Sequence, residues 1–215
     1  MFNDFIGSLI VLTFFYPSRK NIPKIILRLL QFTAVFLVLL AISPLAKASI
    51  DEYFSMKKFP ILSDFETPFE IGRWSDKEKL KINHDIVRNG KSSLRVQLST
   101  TKYSETLLKY FPNDWRHFST LQFSVFNTSL EPLKIHCKVF DMLHTAKDYN
   151  NDDNRFNGKF MLTHGWNDIK IRTDIIANAP VKRKMDLSNI RGFQIFVARL
   201  SQPIVIYIDD VRLVK

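Results

Sequence analysis

The densest group of chemistry-bearing side chains lies between Asp141 and Asn157. Asp141 and His144 are followed by Tyr149, Asp152, Asp153, Arg155 and Asn157. Tyr103 and Arg199 add a ring and a guanidinium from elsewhere in the chain, and Trp115 and Trp166 add indoles. Flat rings offer a surface to C–H groups, while carboxylate, imidazole, amide and guanidinium are planar partners for hydroxyls. Together these residue types suit reversible recognition of a polyhydroxylated ring. A second role competes at the same positions. Asp141, His144 and Arg155 can equally hold the fold by ion pairing, and Trp74, Trp115 and Trp166 flank turns, where indoles usually pack.

Catalytic patterns are absent. The sequence has no phosphate loop, dinucleotide fingerprint, zinc-protease helix or nucleophile elbow. None of its six glycines falls in a cradle arrangement. Cys137 is the single cysteine, which excludes an intrachain disulfide and a cysteine-built zinc site. It stands in an apolar alternating stretch, where a thiol is buried and inert. A non-catalytic protein is therefore expected.

The net charge of +10 invites a nucleic-acid reading, which its distribution weakens. Residues 1–58 hold 7 Lys and Arg against 3 Asp and Glu, and residues 59–215 hold 24 against 18. Only Lys182-Arg183-Lys184 forms a run, and three charges read as a solvated loop rather than a phosphate-tracking patch. No nucleic-acid partner is expected.

Two kinds of element must position these residues. Ile25–Ala46 is a 22-residue apolar stretch whose one charge is Arg28, near its start. As a helix it would be about 33 Å long, enough for a hydrocarbon core of about 30 Å. Arg19, Lys20, Lys24 and Arg28 precede it, whereas Lys47 follows beside Asp51 and Glu52. This bias places the N-terminus in the cytoplasm and the rest outside. Ala46-Lys47-Ala48 has small-residue cleavage character, but the long segment before the apolar core favours an uncleaved anchor. Phe5–Tyr16 is a second apolar run, too short to span by itself. The expected organisation is an N-terminal segment 1–24, a span 25–46, a linker 47–58 and a domain 59–215.

That domain reads as all-β. Ser93–Leu98, Leu121–Phe126, Leu133–Phe140, Ile169–Arg172 and Ile204–Ile208 alternate with period two. Turn signals stand at Asn89-Gly90, Pro112-Asn113-Asp114, Asn157-Gly158 and His164-Gly165. Short strands at such spacing predict an antiparallel sandwich or jelly roll. Brief helix is expected around Thr173–Asn178 and Asp186–Ile190.

The order of several short motifs then becomes informative. Phe59–Glu66, Arg73-Trp74 and Asn89–Val96 resemble the opening of galactose-binding-like jelly-roll carbohydrate-binding modules. Asp114-Trp115, Tyr149 with Asp153–Asn157, Gly165-Trp166-Asn167 and the closing Tyr207–Leu213 continue the resemblance. The set is most similar to the family-eleven-type module that follows a multi-span VanZ-like membrane domain in bacterial proteins, although that bundle is missing here. The resemblance implies a module on the bacterial cytoplasmic membrane, facing an extracytoplasmic glycan, with a VanZ-like membrane protein as a further partner. Tyr103, Asp141, His144, Tyr149, Arg155, Asn157 and Arg199 would then bind the ligand. It also implies a structural calcium at Asp64, Glu66, Asp209 and Asp210, for which pairing with Arg or capping of strand-end amides is the alternative. A protein-interaction or assembly role on the same fold is the competing function.

Overall fold

The computed structural model describes residues 23–67, 69–76, 79–144 and 152–215. Tyr149 and the Phe5–Tyr16 run lie outside the described residues.

The chain divides into two compact units, residues 1–50 and 51–215. Helix α1 runs from Lys24 to Lys58. It contains one stretch with a mean hydropathy of 2.5, and 6% of that stretch is buried. Its length and composition are those shared by membrane spans and signal sequences.

Residues 47–58 are helical rather than a linker. No Gly or Pro interrupts them, and their polar side chains find partners at helical spacing. Asp51 and Ser55, four residues apart, are both buried. Arg73 reaches them from the 3₁₀ turn Glu70–Arg73, with Nε 3.2 Å from Asp51 Oδ2 and Nη1 donating to Ser55 Oγ at 3.1 Å. Lys58, three positions further, donates to Asp64 at 2.7 and 2.9 Å. Residues three or four apart share one helix face, so this face carries the network.

Glu70 is the centre of that network. Its Oε2 accepts from Ser63 Oγ and from the backbone N–H groups of Asp64 and Phe65 at 2.8–3.1 Å, and Arg73 Nη2 lies 3.2 Å away. These bonds hold Phe65 at a φ of 60°, a conformation that bulky side chains avoid. Burial, followed by the neighbouring Asp64 carboxylate, pushes the Glu70 carboxyl up to about 7.

Among the described residues, ten strands form two antiparallel sheets. In one, β2 (Leu80–Asn83), β3 (Ser93–Leu98), β10 (Ile204–Val214), β5 (Thr120–Asn127) and β8 (Gly165–Arg172) pair in that order, with β1 (Ile61–Ser63) also on β10. In the other the order is β4 (Tyr103–Leu108), β9 (Ile190–Ala198), β6 (Leu133–Asp141) and β7 (Phe156–Leu162). Alternation sends Leu94, Val96, Phe123, Val125, Ile206 and Ile208 inward from the first sheet, and Ile135, Cys137, Val139, Phe193, Ile195 and Val197 inward from the second. Phe123 and Phe193 meet between the sheets, edge to face, with ring centroids 5.0 Å apart. The Cys137 thiol is fully enclosed, and burial raises its pKa.

Two sequence expectations are corrected. Asn157-Gly158 is not a turn but part of β7. Gly158 is needed there because a Cβ would stand 2.8 Å from the Phe160 ring and 3.1 Å from that of Phe156. Helix forms at α2 (Thr173–Ala177) but not at Asp186–Ile190. There Asp186 Oδ1 accepts from both the N–H and the hydroxyl of Ser188 and closes a turn.

Candidate functional site

Of the expected ligand residues, Tyr103 and Asn157 lie on the outer face of the four-stranded sheet, and Asp141, His144, Arg155 and Arg199 stand at its two ends. Tyr103 opens β4, opposite Ala198 at the end of β9. It is 55% exposed, and its ring stands edge-on to Phe196 at 6.0 Å. Arg199 follows directly, exposed, with a φ of 54° and its backbone N–H donated to Lys102 O. Asp141, His144 and Arg155 cluster instead near Ile190, and Asn157, joined to them through Arg155, lies between the ends. The eight residue steps of β9 between these ends correspond to roughly 26 Å. One patch does not contain the whole set.

At the Ile190 end, Asp141 is completely buried. Its two oxygens accept from Arg183 at 2.6 and 2.8 Å, and they also accept the N–H groups of Asp186 and Leu143. This is the ion-pairing role, not a ligand-facing one. Arg183 additionally donates to Asn154 Oδ1 at 2.6 Å, so one member of the basic run Lys182–Lys184 is a structural residue rather than a solvated charge. Arg155 is buried and donates to Asn157 Oδ1 at 3.1 Å while pairing with Asp152. The His144 ring lies 5.1 Å from that of Phe140. Beside this cluster an open cleft of about 600 Å³ is bounded by Asp152, Asp153, Arg155, Asn157 and the Ile175–Asn178 side of α2.

Between the two ends runs a row that sequence reasoning missed. Glu105, Phe196, His136 and Lys159 are cross-strand neighbours on β4, β9, β6 and β7. Leu107, Gln194, Lys138 and Asn157 form the next row. The His136 ring stacks on Phe196 with centroids 4.7 Å apart and planes 24° apart. Lys138 Nζ lies 4.4 Å from the centroid of the same Phe196 ring, a cation–π contact. Burial, then the nearby Lys134, Lys159 and Lys138, hold the His136 pKa below its ordinary value, so the imidazole is neutral at pH 7. Period-two alternation on β6 already placed His136 and Lys138 outward. Phe196, within the continuous apolar run of β9, gave no such signal.

On this face Phe140 lies over its cross-strand partner Gly192. A Cβ there would meet the Phe140 ring at 2.2 Å. Gly192→Ala is expected to displace Phe140 and lower stability by about 1–3 kcal/mol, read from urea denaturation curves. A change below 0.5 kcal/mol, on the order of ordinary surface substitutions, would refute the contact.

The expected indoles lie elsewhere. Trp74 and Trp115 are buried in the core. Trp166 packs with Phe126 on the outer face of the other sheet, where Phe126 also meets Tyr207.

The four carboxylates assigned to calcium have other partners. Glu66 Oε1 accepts the N–H groups of Lys91 and Ser92 at 2.7 and 3.0 Å. Asp209 Oδ2 accepts those of Arg88 and Asn89, and its Oδ1 that of Asp210. The two residues thus cap the Asn89-Gly90 turn, Glu66 from the loop after β1 and Asp209 from β10, the alternative the sequence allowed. Gly90 has a φ of 74°, and its missing Cβ would stand 2.4 Å from Glu66 Oε1. Asp64 pairs with Lys58, and Asp210 with Arg212. Among the described residues no three His, Cys, Asp or Glu side chains converge as a metal site. As arranged, these four fit amide capping and ion pairing, not the six to eight oxygens calcium requires.

Burial pushes the Asp209 carboxyl up to about 6, outweighing its backbone donors. Below that pH the folded domain binds a proton that the unfolded chain, with a carboxylate pKa near 4, has not yet taken up. Glu70 acts in the same direction. Stability is therefore expected to fall as pH rises from about 4.5 to 7, by on the order of 2 kcal/mol. Melting temperatures at pH 5.0 and 7.5 check this, and a higher value at 7.5 would contradict it.

A scan against known protein families finds no match for this chain, nor does a search of curated proteins, so no sequence match supports the VanZ link. Solved structures do match in fold. A family 11 carbohydrate-binding module from Clostridium thermocellum, in complex with a β-1,3-1,4-mixed-linked tetrasaccharide, is 16% identical with a TM-score of 0.50, over 72% of this chain and 94% of that one. A solution structure of a family 11 module is 17% identical with a TM-score of 0.50, over 72% and 93%. An exo-β-agarase is 15% identical with a TM-score of 0.55, over 71% of this chain but 24% of that enzyme. These likenesses and the two sheets agree that the unit 51–215 is an antiparallel β-sandwich of the jelly-roll kind seen in family 11 carbohydrate-binding modules.

Proposed function

We propose that this chain is a non-catalytic glycan-binding module, held by α1 at the cytoplasmic membrane and displayed on its outer side. The observation that carries this reading is the Tyr103–Phe196–His136 row on the outer face of the four-stranded sheet. Phe196 forms a floor. The neutral His136 ring and the exposed Tyr103 ring give flat surfaces for the apolar faces of sugars, while Glu105, Gln194 and Asn157 offer partners for hydroxyls. An open face of this kind takes a polymer from the side. The fold likeness to carbohydrate-binding modules supports the same reading, as do the charges flanking Ile25–Ala46, which favour an outward-facing domain.

Calorimetric titration of the full chain in non-ionic micelles with a panel of soluble glycans tests the proposal. At least one should bind at micromolar to millimolar concentration, and Tyr103→Ala should weaken it about three- to tenfold, the worth of one aromatic contact. Failure of every glycan to bind at millimolar concentration would refute the proposal.

A further inference from the structure

The charges that look scattered in sequence are collected by the fold. Lys134 and Lys138 lie four residues apart on one face of β6, and Lys159 stands opposite His136 on β7. Lys102 places its ammonium 5.6 Å from the Tyr103 ring centroid. Among the described residues, none of these four lysines is ion-paired within 4 Å. The acids near them are Glu105, across the row, and Asp152, which is held by Arg155. The outer face of the other sheet carries an acid of its own, Asp168, which pairs with Arg88 at 2.6 Å, although Arg95 there donates to the neutral Gln97 and, among the described residues, Lys81 and Lys170 form no ion pair within 4 Å.

Protection of a sheet edge explains Lys159, because β7 is an edge strand. It does not explain β6, which is paired on both sides. Like charges gathered on one sheet face repel one another and cost stability. Lys138 is also partly desolvated over Phe196, and burial first, then the three neighbouring lysines, lower the His136 pKa. An uncompensated positive field over an aromatic floor calls for a ligand with a matching negative charge and flat apolar faces.

We propose that this face binds an acidic polysaccharide, with the Tyr103–Phe196–His136 row under its sugar rings and Lys134, Lys138 and Lys159 on its carboxylate, sulfate or phosphate groups. This rests on the glycan-binding reading and specifies its ligand. The alternating geometry suits a linear polymer. Roughly 7 Å separates successive outward residues along a strand, and about 14 Å separates β4 from β7 across the sheet. Anions repeated along a glycan can therefore reach Lys134 or Lys138 and Lys159 while the rings between them are stacked.

The test uses the full chain in non-ionic micelles, with polygalacturonate and dextran sulfate as acidic probes. Mixed-linkage β-1,3-1,4-glucan and dextran are the neutral probes, and a single-stranded DNA oligomer is the non-sugar polyanion. At least one acidic glycan should bind, and its Kd should rise tenfold or more between 50 and 500 mM NaCl as screening sets in. The combined variant Lys134→Gln, Lys138→Gln and Lys159→Gln should cost at least tenfold in affinity at an equal or higher melting temperature, since it relieves the repulsion. Tyr103→Ala should cost threefold or more at constant salt. Equal binding of neutral glucan, indifferent to salt and to the lysine variant, would overturn this inference and leave the glycan-binding reading standing. Equal binding of DNA and acidic glycan, with Tyr103→Ala silent, would reduce the face to unspecific polyanion adsorption and overturn it. Failure of both acidic and neutral glycans to bind would overturn both readings together.

Discussion

Arg73→Met is expected to lower the unfolding free energy of the sandwich by about 3–5 kcal/mol, the cost of removing one partner from a buried charge network. The guanidinium is 7% exposed and lies between Asp51 and Glu70, while Nη1 also donates to Leu62 O at 2.8 Å. Methionine fills much of the volume but leaves Glu70 buried, with Lys58 as its nearest cation at 3.7 Å. Leu62 O and Ser55 Oγ lose their donor. Against a typical total of 5–15 kcal/mol, such a loss brings the domain near its limit. Urea denaturation followed by tryptophan fluorescence measures it, since Trp74 donates to Ser63 Oγ within the same corner. Adding Asp51→Asn and Glu70→Gln to the variant should recover part of the loss, because the charges left behind cause much of it. A loss under 1 kcal/mol would show that the network does not hold the corner.

Asp141→Ala is expected to cost a comparable 3–5 kcal/mol. The substitution removes a carboxylate with no exposed surface and leaves the half-buried Arg183 without its bidentate acceptor. It also leaves the N–H groups of Asp186 and Leu143 without theirs. The loop carrying Arg183, and with it the bond to Asn154 ahead of β7, should loosen. Glycan affinity measured on molecules still folded, at low temperature, should change less than threefold. Near-normal stability with binding abolished would mean that Asp141 faces the ligand after all. A lost activity in this variant says nothing about chemistry at Asp141 until its folding has been measured.

Much of the fold was legible because hydrophobic alternation is a local signal. Ser93–Leu98 coincides with β3, and Leu121–Phe126 and Leu133–Phe140 lie within β5 and β6. Where both faces of a strand are covered, the alternation disappears. In β9, Phe193 through Val197 are all buried, and the strand carrying the floor of the site was therefore missed. The end of α1 was misread for a related reason. A polar stretch after a span looks like a linker unless Arg73, eighteen residues from Ser55, is known to bond to it. The candidate site was legible in residue type but not in convergence. Asp141 and Arg183, 42 residues apart, meet only through the fold, and so do His136 and Phe196.

The lone thiol has a practical consequence. Cys137 sits on the inward face of β6 with no exposed surface, and burial keeps it protonated. An alkylating reagent can reach it only when the two sheets separate, so its labelling rate becomes a clock for opening events. With no second cysteine to confuse the signal, the clock can be read by mass spectrometry in a crude mixture. Optical melting is impractical in that setting. A stabilising ligand at the sheet's outer face would slow the clock by the factor of its saturation, 1 + [L]/Kd, so binding can be measured without labelling the glycan.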